Sequence, residues 1–349
     1  MTTPFRALLL NKPNVFLSLE RSPFLKWSAQ SHAFETGKFT HVVHTNVPVF
    51  PSSTDDDDDE NKNNDDFSSS AASGSLVLPR CVNLVEEEKK AFGSRAKHVQ
   101  TLSASMCANA EHFRRQCEAV ARGCEDVSHV LLVSGDDRKK NNDLNAVRML
   151  EIATTMRREG DIPDHVKFAV VANPNTEKVS AEYLEQKVDA GAELVITQPF
   201  FDFERCHEWV ESAKRRGILS APSSSLQFSS GSNASSASLV IGACAPSSRK
   251  DVEFWAKLVY GDDQFANILS SSSSPIAKLA REYEEKEKEM TTALYRDWIF
   301  ERCELQAVAA LGNPESAGVH FMPVTRIGYD IVKHLARRTR EMETMEENA

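Results

Sequence analysis

The sequence lacks several features that would place it in common classes of protein. No apolar run approaches the roughly 20 residues of a membrane-spanning helix. No CxxC pair occurs among the seven cysteines, which are scattered and odd in number. Neither a disulfide framework nor a zinc site is therefore indicated, and we expect reduced, mostly buried thiols.

Positive charge is also scarce. The 41 Lys and Arg residues face 51 Asp and Glu residues, and a net charge of −10 argues against a nucleic-acid surface. Part of that charge lies in the acidic run Asp55–Glu60, which belongs to a polar segment rather than to the fold. His41 and His44 are the one histidine pair worth testing as metal ligands, but in a strand their spacing puts them on opposite faces. We predict no metal site.

No glycine-rich phosphate loop of the GxGxxG or Walker type is present, which disfavours an open doubly wound sheet. What the chain does have is eight apolar segments whose residues do not alternate with polar ones. Such runs are typical of parallel strands covered on both faces. The predicted strands are Val15–Leu19, Phe39–His44, His98–Leu102, His129–Val133, Lys167–Ala172, Glu193–Thr197, Ser238–Gly242 and Gly318–Val324.

Segments with helical spacing separate these strands, and several end at the glycine favoured after a helix C-terminus. They are Ala110–Gly123, Leu144–Arg158, Ala181–Ala190, Phe203–Arg216 and Lys250–Tyr260. Alternating strands and helices with eight strands predict an α/β fold, the (β/α)8 or TIM barrel, as a single domain over residues 1–349. Polar low-complexity segments at 51–76 and 221–238, a serine run at 270–274 and the tail 339–349 are predicted to be surface inserts or flexible ends.

Polar residues stand at the C-terminal ends of the predicted strands, where barrel enzymes carry their reactive groups. They are Glu20, His44 with Thr45, Ser103, Asp136 with Asp137, Asn173, Gln198, Pro246 and Arg326. Each alone is an ordinary loop residue, but together they predict a site at one rim of the barrel.

Five stretches, in order, resemble landmarks of the methylenetetrahydrofolate reductase barrel. They are LSLERSP at 17–23, KFTHVVHT at 38–45, HVLLVSGD at 129–136, KVDAGAELVITQPFFD at 187–202 and GVHFMPVTR at 318–326. The resemblance implies reduction of 5,10-methylenetetrahydrofolate to 5-methyltetrahydrofolate with FAD and NAD(P)H, in one-carbon and methionine metabolism. It does not distinguish NADH from NADPH.

The resemblance also implies roles for single residues on the folate side. Glu20 matches the carboxylate that acts as the acid toward the folate, and opening the methylene bridge requires a proton at nitrogen. Asp136, in the Gly135-Asp136 pair, matches an aspartate that bonds the pterin and lies near the flavin. Gln198 matches a glutamine that contacts the pterin, whose ring edge needs both a donor and an acceptor.

Further matches concern the cofactor and the rim. Lys187 matches a lysine on the cofactor side, and Asn173 lies in the segment that ordinarily holds FAD. Trp255 falls where the family has an aromatic residue that stacks on nicotinamide or folate, although a core tryptophan of its helix is an equal interpretation. Arg326 matches a basic residue that faces the folate.

The departures from the family pattern lie mainly on the FAD side. Ser134 replaces an arginine, the segment Asn173 to Glu177 replaces an aromatic and a histidine, and Ser180 and Gln186 replace an acid and a base.

Two functional classes stay open: a reductase with a remodelled FAD site, or a non-catalytic relative that binds folate or a protein partner. A third, a barrel enzyme with an unrelated substrate, has no specific residue behind it. We expect a cytoplasmic protein with a small-molecule folate substrate, no nucleic-acid or membrane partner, and possible homo-oligomers.

Overall fold

The structure is a computed structural model that describes residues 4–11, 15–22, 25–36, 39–45, 86–93, 96–134, 144–178, 180–220 and 236–346. Segment 51–76 and most of 221–238 lie outside these ranges, and so do Gly135 to Asp137. No statement is made about their structure.

Eight parallel strands form a closed barrel in the order in which they occur along the chain, and β8 pairs with β1. This confirms the predicted (β/α)8 barrel, and each predicted strand segment overlaps one observed strand. The strands are β1 Phe16–Arg21, β2 His41–His44, β3 Lys97–Ser103, β4 Val127–Val133, β5 Lys167–Ala172, β6 Leu194–Thr197, β7 Ser238–Cys244 and β8 Ser316–Met322.

Helices cover the outside of the barrel. They are α1 Pro4–Asn11, α2 Trp27–Thr36, α3 Glu86–Phe92, α4 Ala110–Gly123, α5 Ala146–Glu159, α6 Glu182–Asp189, α7 Phe203–Arg215, α8 Arg249–Tyr260, α9 Asp262–Ser270, α10 Pro275–Glu289, α11 Thr292–Gly312 and α12 Arg326–Glu346. The five predicted helical segments correspond to α4 to α8. The segment 339–349, predicted as a flexible tail, overlaps α12, which continues to Glu346.

Two layers of apolar side chains hold the fold together. One fills the barrel interior and comprises Phe16, Val43, Val99, Leu131, Ala169, Leu194, Ile196 and Val240. The other lies between the outer faces of the strands and the helices and includes Trp209 and Trp255. Successive residues of a strand point to opposite faces, so each strand contributes side chains to both layers. The strand sequences are therefore continuously apolar.

The histidine pair of β2 is divided between these layers, as its spacing predicts. His41 stacks on Phe16, with ring centroids 3.8 Å apart, while His44 Nε2 lies 2.8 Å from His98 Nδ1. Within the described ranges, no group of three or more His, Cys, Asp or Glu side chains is placed to hold a metal ion. The described cysteines are buried, apart from half-buried Cys124.

Candidate active site

The C-terminal ends of the eight strands meet at one mouth of the barrel, where β1 and β8 bring three polar side chains together. The interior face of β1 carries Phe16, so Ser18 and Glu20 point to the same side. His320 of β8 lies opposite Ser18 in the strand register, and its Nδ1 is 3.0 Å from Ser18 Oγ. Its Nε2 lies 3.5 Å from Glu20 Oε2.

This arrangement gives Glu20 a fixed neighbour and limited contact with water. The Glu20 side chain is 19% exposed and that of His320 is 3% exposed. The Tyr329 hydroxyl of α12 donates to the Glu20 carbonyl oxygen at 2.6 Å, which anchors the end of β1. A half-buried carboxylate beside an imidazole is suited to exchange a proton with a bound molecule.

Sequence reasoning missed His320 as a site residue. The histidine stands in GVHFMPVTR, one of the stretches that carries the family resemblance, so a signal was present. Only the pairing of the first strand with the eighth reveals that it faces Glu20.

Gln198 follows β6 and extends the sheet, since its backbone N–H donates to the Ala172 carbonyl at 2.8 Å. Among the described residues its buried Oε1 has no hydrogen-bond partner, and the same is true of Thr101 Oγ1 on β3. Gly242 of β7 makes this position possible, because a Cβ there would overlap the Thr197 carbonyl. A buried acceptor without a partner is costly, which suits a site completed by a donor from a ligand.

The segment after β5 is closed by its own hydrogen bonds. Asn173 Nδ2 donates to the Val259 carbonyl at 2.7 Å, and Asn173 Oδ1 accepts from both the backbone and the side chain of Asn175. Asn175 in turn donates to the Pro199 carbonyl and accepts from the Phe201 N–H. The predicted cofactor residue Asn173 therefore has its side-chain amide engaged within the protein.

Lys187 is also engaged. Its side chain is 5% exposed, and Nζ donates to the Val171 carbonyl at 2.7 Å. Glu177 Oε1 lies 3.6 Å from Nζ, and the ammonium stands 4.2 Å from the centre of the Tyr183 ring. Burial lowers the pKa of Lys187, and the nearby Glu177 carboxylate opposes that effect.

The remaining predicted residues are more dispersed. Ser134, which replaces the family's arginine, accepts a hydrogen bond from the Ala146 N–H at the start of α5. Gly135 and Asp136 lie outside the described residues. Trp255 is 2% exposed in the layer between α8 and the barrel, so its packing matches the core interpretation, and its stacking role stays a prediction. Arg326 is exposed at the first residue of α12, next to the mouth.

The described residues do not fit FAD in the way the resemblance implies. Its diphosphate needs donors or cations, yet the Asn173 amide and the Lys187 ammonium both have partners inside the protein. Ser134 is uncharged, and its hydroxyl already accepts a hydrogen bond from the Ala146 N–H at the start of α5. Glu177 places a carboxylate beside the only lysine predicted to serve the cofactor.

Other residues of the KVDAG to FFD stretch have structural tasks. Gly191 adopts a φ of 114°, and a Cβ there would overlap the Thr154 hydroxyl. Asp202 caps α7 by accepting from the Arg205 N–H at 3.0 Å. The stretch therefore combines a helix end, a strand and a helix start around Gln198.

A family model for methylenetetrahydrofolate reductase matches residues 101–224, which run from within β3 to just beyond α7. The match covers 124 of the 349 residues, and this part of the chain is similar to that family. The resemblance predicted from the sequence is thereby confirmed. Gly135, Asp136, Asn173, Lys187 and Gln198 fall inside the match, whereas Glu20, Trp255, His320 and Arg326 fall outside it.

No curated protein sequence matches this chain. Among solved structures, 2,3-dimethylmalate lyase aligns with a TM-score of 0.43 and 10% identity over 99% of this chain and 86% of that chain. Oxaloacetate acetylhydrolase in complex with 3,3-difluorooxalacetate aligns with a TM-score of 0.38 and 10% identity over 87% of this chain and 93% of that chain. Of the helices in the described part of the chain, none is both long and apolar enough to cross a membrane.

Proposed function

We propose that this barrel binds a reduced folate at its C-terminal mouth and donates a proton to it from Glu20 during reduction of 5,10-methylenetetrahydrofolate to 5-methyltetrahydrofolate. The observation that carries the proposal is the contact between Glu20 and His320, at 3.5 Å, in the polar group that also includes Ser18. The family match over residues 101–224 supports a folate-related reductase. Gln198, with its buried and unpartnered Oε1, offers an acceptor for an N–H of the pterin ring.

The proton has a defined task in this reaction. Protonating a nitrogen of the five-membered imidazolidine ring weakens its bond to the bridging methylene carbon and leaves an iminium that accepts a hydride. Glu20 supplies the proton, and His320 holds the carboxylate in place from β8. By resemblance the reducing equivalents come from NAD(P)H through FAD, but the described residues do not fit FAD, and no flavin step is part of this proposal.

A second candidate is favoured by the engagement of Asn173 and Lys187 within the protein. It is a non-catalytic relative that keeps the folate side of the site and binds folate or a protein partner. The absorption spectrum of the purified protein between about 350 and 500 nm, followed by titration with FAD, separates the two. A flavin bleached by NAD(P)H and restored by methylenetetrahydrofolate supports the reductase. A colourless protein that ignores FAD but binds folate supports the second candidate.

Folate binding itself is expected to depend on Gln198. Gln198→Leu should weaken binding of 5-methyltetrahydrofolate by about tenfold or more, because a buried pterin donor then has no acceptor. Isothermal titration calorimetry measures the change, and Gln264→Leu on exposed α9 is the matched control. Failure of the unmodified protein to bind the folate would refute the reductase and the folate-binding form of the second candidate.

His320 is proposed as a positioning residue for Glu20. His320→Phe should lower kcat for folate reduction by about tenfold to a hundredfold with little change in KM, because the carboxylate loses its fixed neighbour. His320→Gln keeps a polar group toward Glu20 and should recover part of the rate. Equal losses in both variants, or a rise in KM alone, would argue against a positioning role.

Several expectations about the whole chain stay proposals. We propose that it works as one barrel domain in the cytoplasm, with a small-molecule folate as its substrate and no nucleic-acid or membrane partner. By resemblance the reductase would use FAD and NAD(P)H, although the described residues do not fit FAD, and the non-catalytic candidate needs neither. Analytical ultracentrifugation of the full chain tests for homo-oligomers.

A further inference from the structure

Glu177 lies beside Lys187, the lysine that the resemblance assigns to the cofactor side. Its Oε1 accepts from the Asn173 N–H at 3.0 Å and faces Lys187 Nζ at 3.6 Å. Its side chain is 15% exposed, and its buried Oε2 has no hydrogen-bond partner among the described residues. The carboxylate therefore supplies the negative charge that a buried lysine needs, and it does so from within the chain.

The backbone around Glu177 is fixed as firmly as the side chain. Arg205 of α7 donates to the Glu177 carbonyl at 2.6 Å and to the Pro174 carbonyl at 2.9 Å. The Glu177 N–H donates to the Asn173 carbonyl at 2.9 Å. Because the backbone is held, the carboxylate can leave only by rotation of the side chain, which would cost the hydrogen bond from the Asn173 N–H and the contact with Lys187.

Lys187 has no donor left for a ligand without breaking this arrangement. One N–H bonds the Val171 carbonyl, the ammonium faces the Glu177 carboxylate, and the Tyr183 ring covers another side at 4.2 Å. A diphosphate that captured Lys187 would leave the Glu177 carboxylate largely buried and without its cation. Such an uncompensated charge opposes binding strongly.

We infer that Glu177 is a specificity-determining residue whose carboxylate neutralises Lys187 and keeps an anionic diphosphate cofactor such as FAD off this side of the barrel. The inference concerns the cofactor side only, goes beyond the proposed function and does not depend on the folate contacts of Gln198. It assigns the difference between this chain and a flavin-binding relative chiefly to one carboxylate. Neutralising that carboxylate should allow the Lys187 ammonium to bind an anionic ligand.

The test measures equilibrium binding of FAD to the full chain. Flavin fluorescence monitors the binding, and no activity measurement is needed. Glu177→Gln keeps an acceptor for the Asn173 N–H and removes the charge, and it should bind FAD about tenfold or more tightly than the unmodified protein. Glu182→Gln removes the same charge from an exposed position on α6 and should change nothing. Adding Lys187→Met to Glu177→Gln should abolish the gain.

Two results would overturn the inference. They are an equal gain in Glu182→Gln, or folded Glu177→Gln that binds FAD no more tightly than the unmodified protein. Glu177→Met, which is neutral and of similar length, replaces the glutamine variant if that variant unfolds. Titration of the same samples with 5-methyltetrahydrofolate separates this inference from the proposed function, because loss of folate binding refutes the function and leaves the role of Glu177 standing.

Discussion

Replacing Glu20 by glutamine is expected to lower the rate of methylenetetrahydrofolate reduction by about 10²- to 10⁴-fold, the range associated with loss of a positioned general acid. Glutamine has nearly the same shape and can still face His320, but it has no proton to give. Binding of 5-methyltetrahydrofolate should stay close to that of the unmodified protein. The measurement is NAD(P)H consumption with and without the folate, alongside a binding titration.

Two controls make the Glu20 experiment specific. Glu208→Gln changes an exposed residue of α7 and should leave the rate unchanged. Reduction of an artificial electron acceptor by NAD(P)H requires no proton on the folate, so any such activity should survive Glu20→Gln. If both reactions fail together, Glu20 maintains the site rather than donating the proton, and an unchanged folate rate would remove it from the mechanism.

The strands could be predicted from the sequence because a barrel strand is apolar on both faces. Lys167–Ala172 is predicted and observed with identical bounds, and β6 differs by one residue at its start. Helices α9 to α11 were not predicted, because the serine run 270–274 suggested low complexity and the stretch after it is highly charged. A signal was nevertheless present, since Ser274 accepts from the Ala277 N–H and Pro275 occupies the first turn of α10.

The part of the candidate site that lies at the ends of strands was predictable, because the C-terminal ends of parallel strands meet at one mouth of a barrel. Glu20 and Gln198 lie at the mouth because each ends a parallel strand, which the apolar runs reveal. The partner of Glu20 was not predictable, because His320 meets it through pairing between strands some 300 residues apart. The hydrogen bond from Lys187 Nζ to the Val171 carbonyl was not predictable either. A position near the end of a helix does not determine which carbonyl the ammonium contacts.

The histidines buried on the barrel strands should make the fold sensitive to acid. His41 is packed against Phe16 inside the barrel, and burial, with smaller effects of His98 and Lys97, lowers its pKa from 6.5 to about 3. Burial also lowers the pKa values of His44 and His129 well below their ordinary range. In each case the folded protein holds the neutral imidazole.

The direction of the pH effect follows from proton counts. Between about pH 6.5 and pH 3 the unfolded chain binds a proton at His41 and the folded chain does not, so acid favours unfolding. Stability from this residue is complete above pH 6.5 and is lost as the pH falls toward 3. One pKa unit corresponds to about 1.4 kcal/mol, so lowering the pH from 7.5 to 4.5 should cost about 2–3 kcal/mol at this residue alone.

Urea unfolding at the two pH values measures this loss, and His41→Phe is the informative variant. Phenylalanine keeps the ring against Phe16 but cannot take a proton, so its stability should fall by about 2–3 kcal/mol less between pH 7.5 and pH 4.5 than that of the unmodified protein. His207→Phe alters an exposed position on α7 and should leave the pH dependence as it was. Parallel pH profiles for unmodified protein and His41→Phe would mean that the unfolded and folded chains bind protons equally at His41, and the acid sensitivity would then have to arise at His44, His129 or the carboxylates.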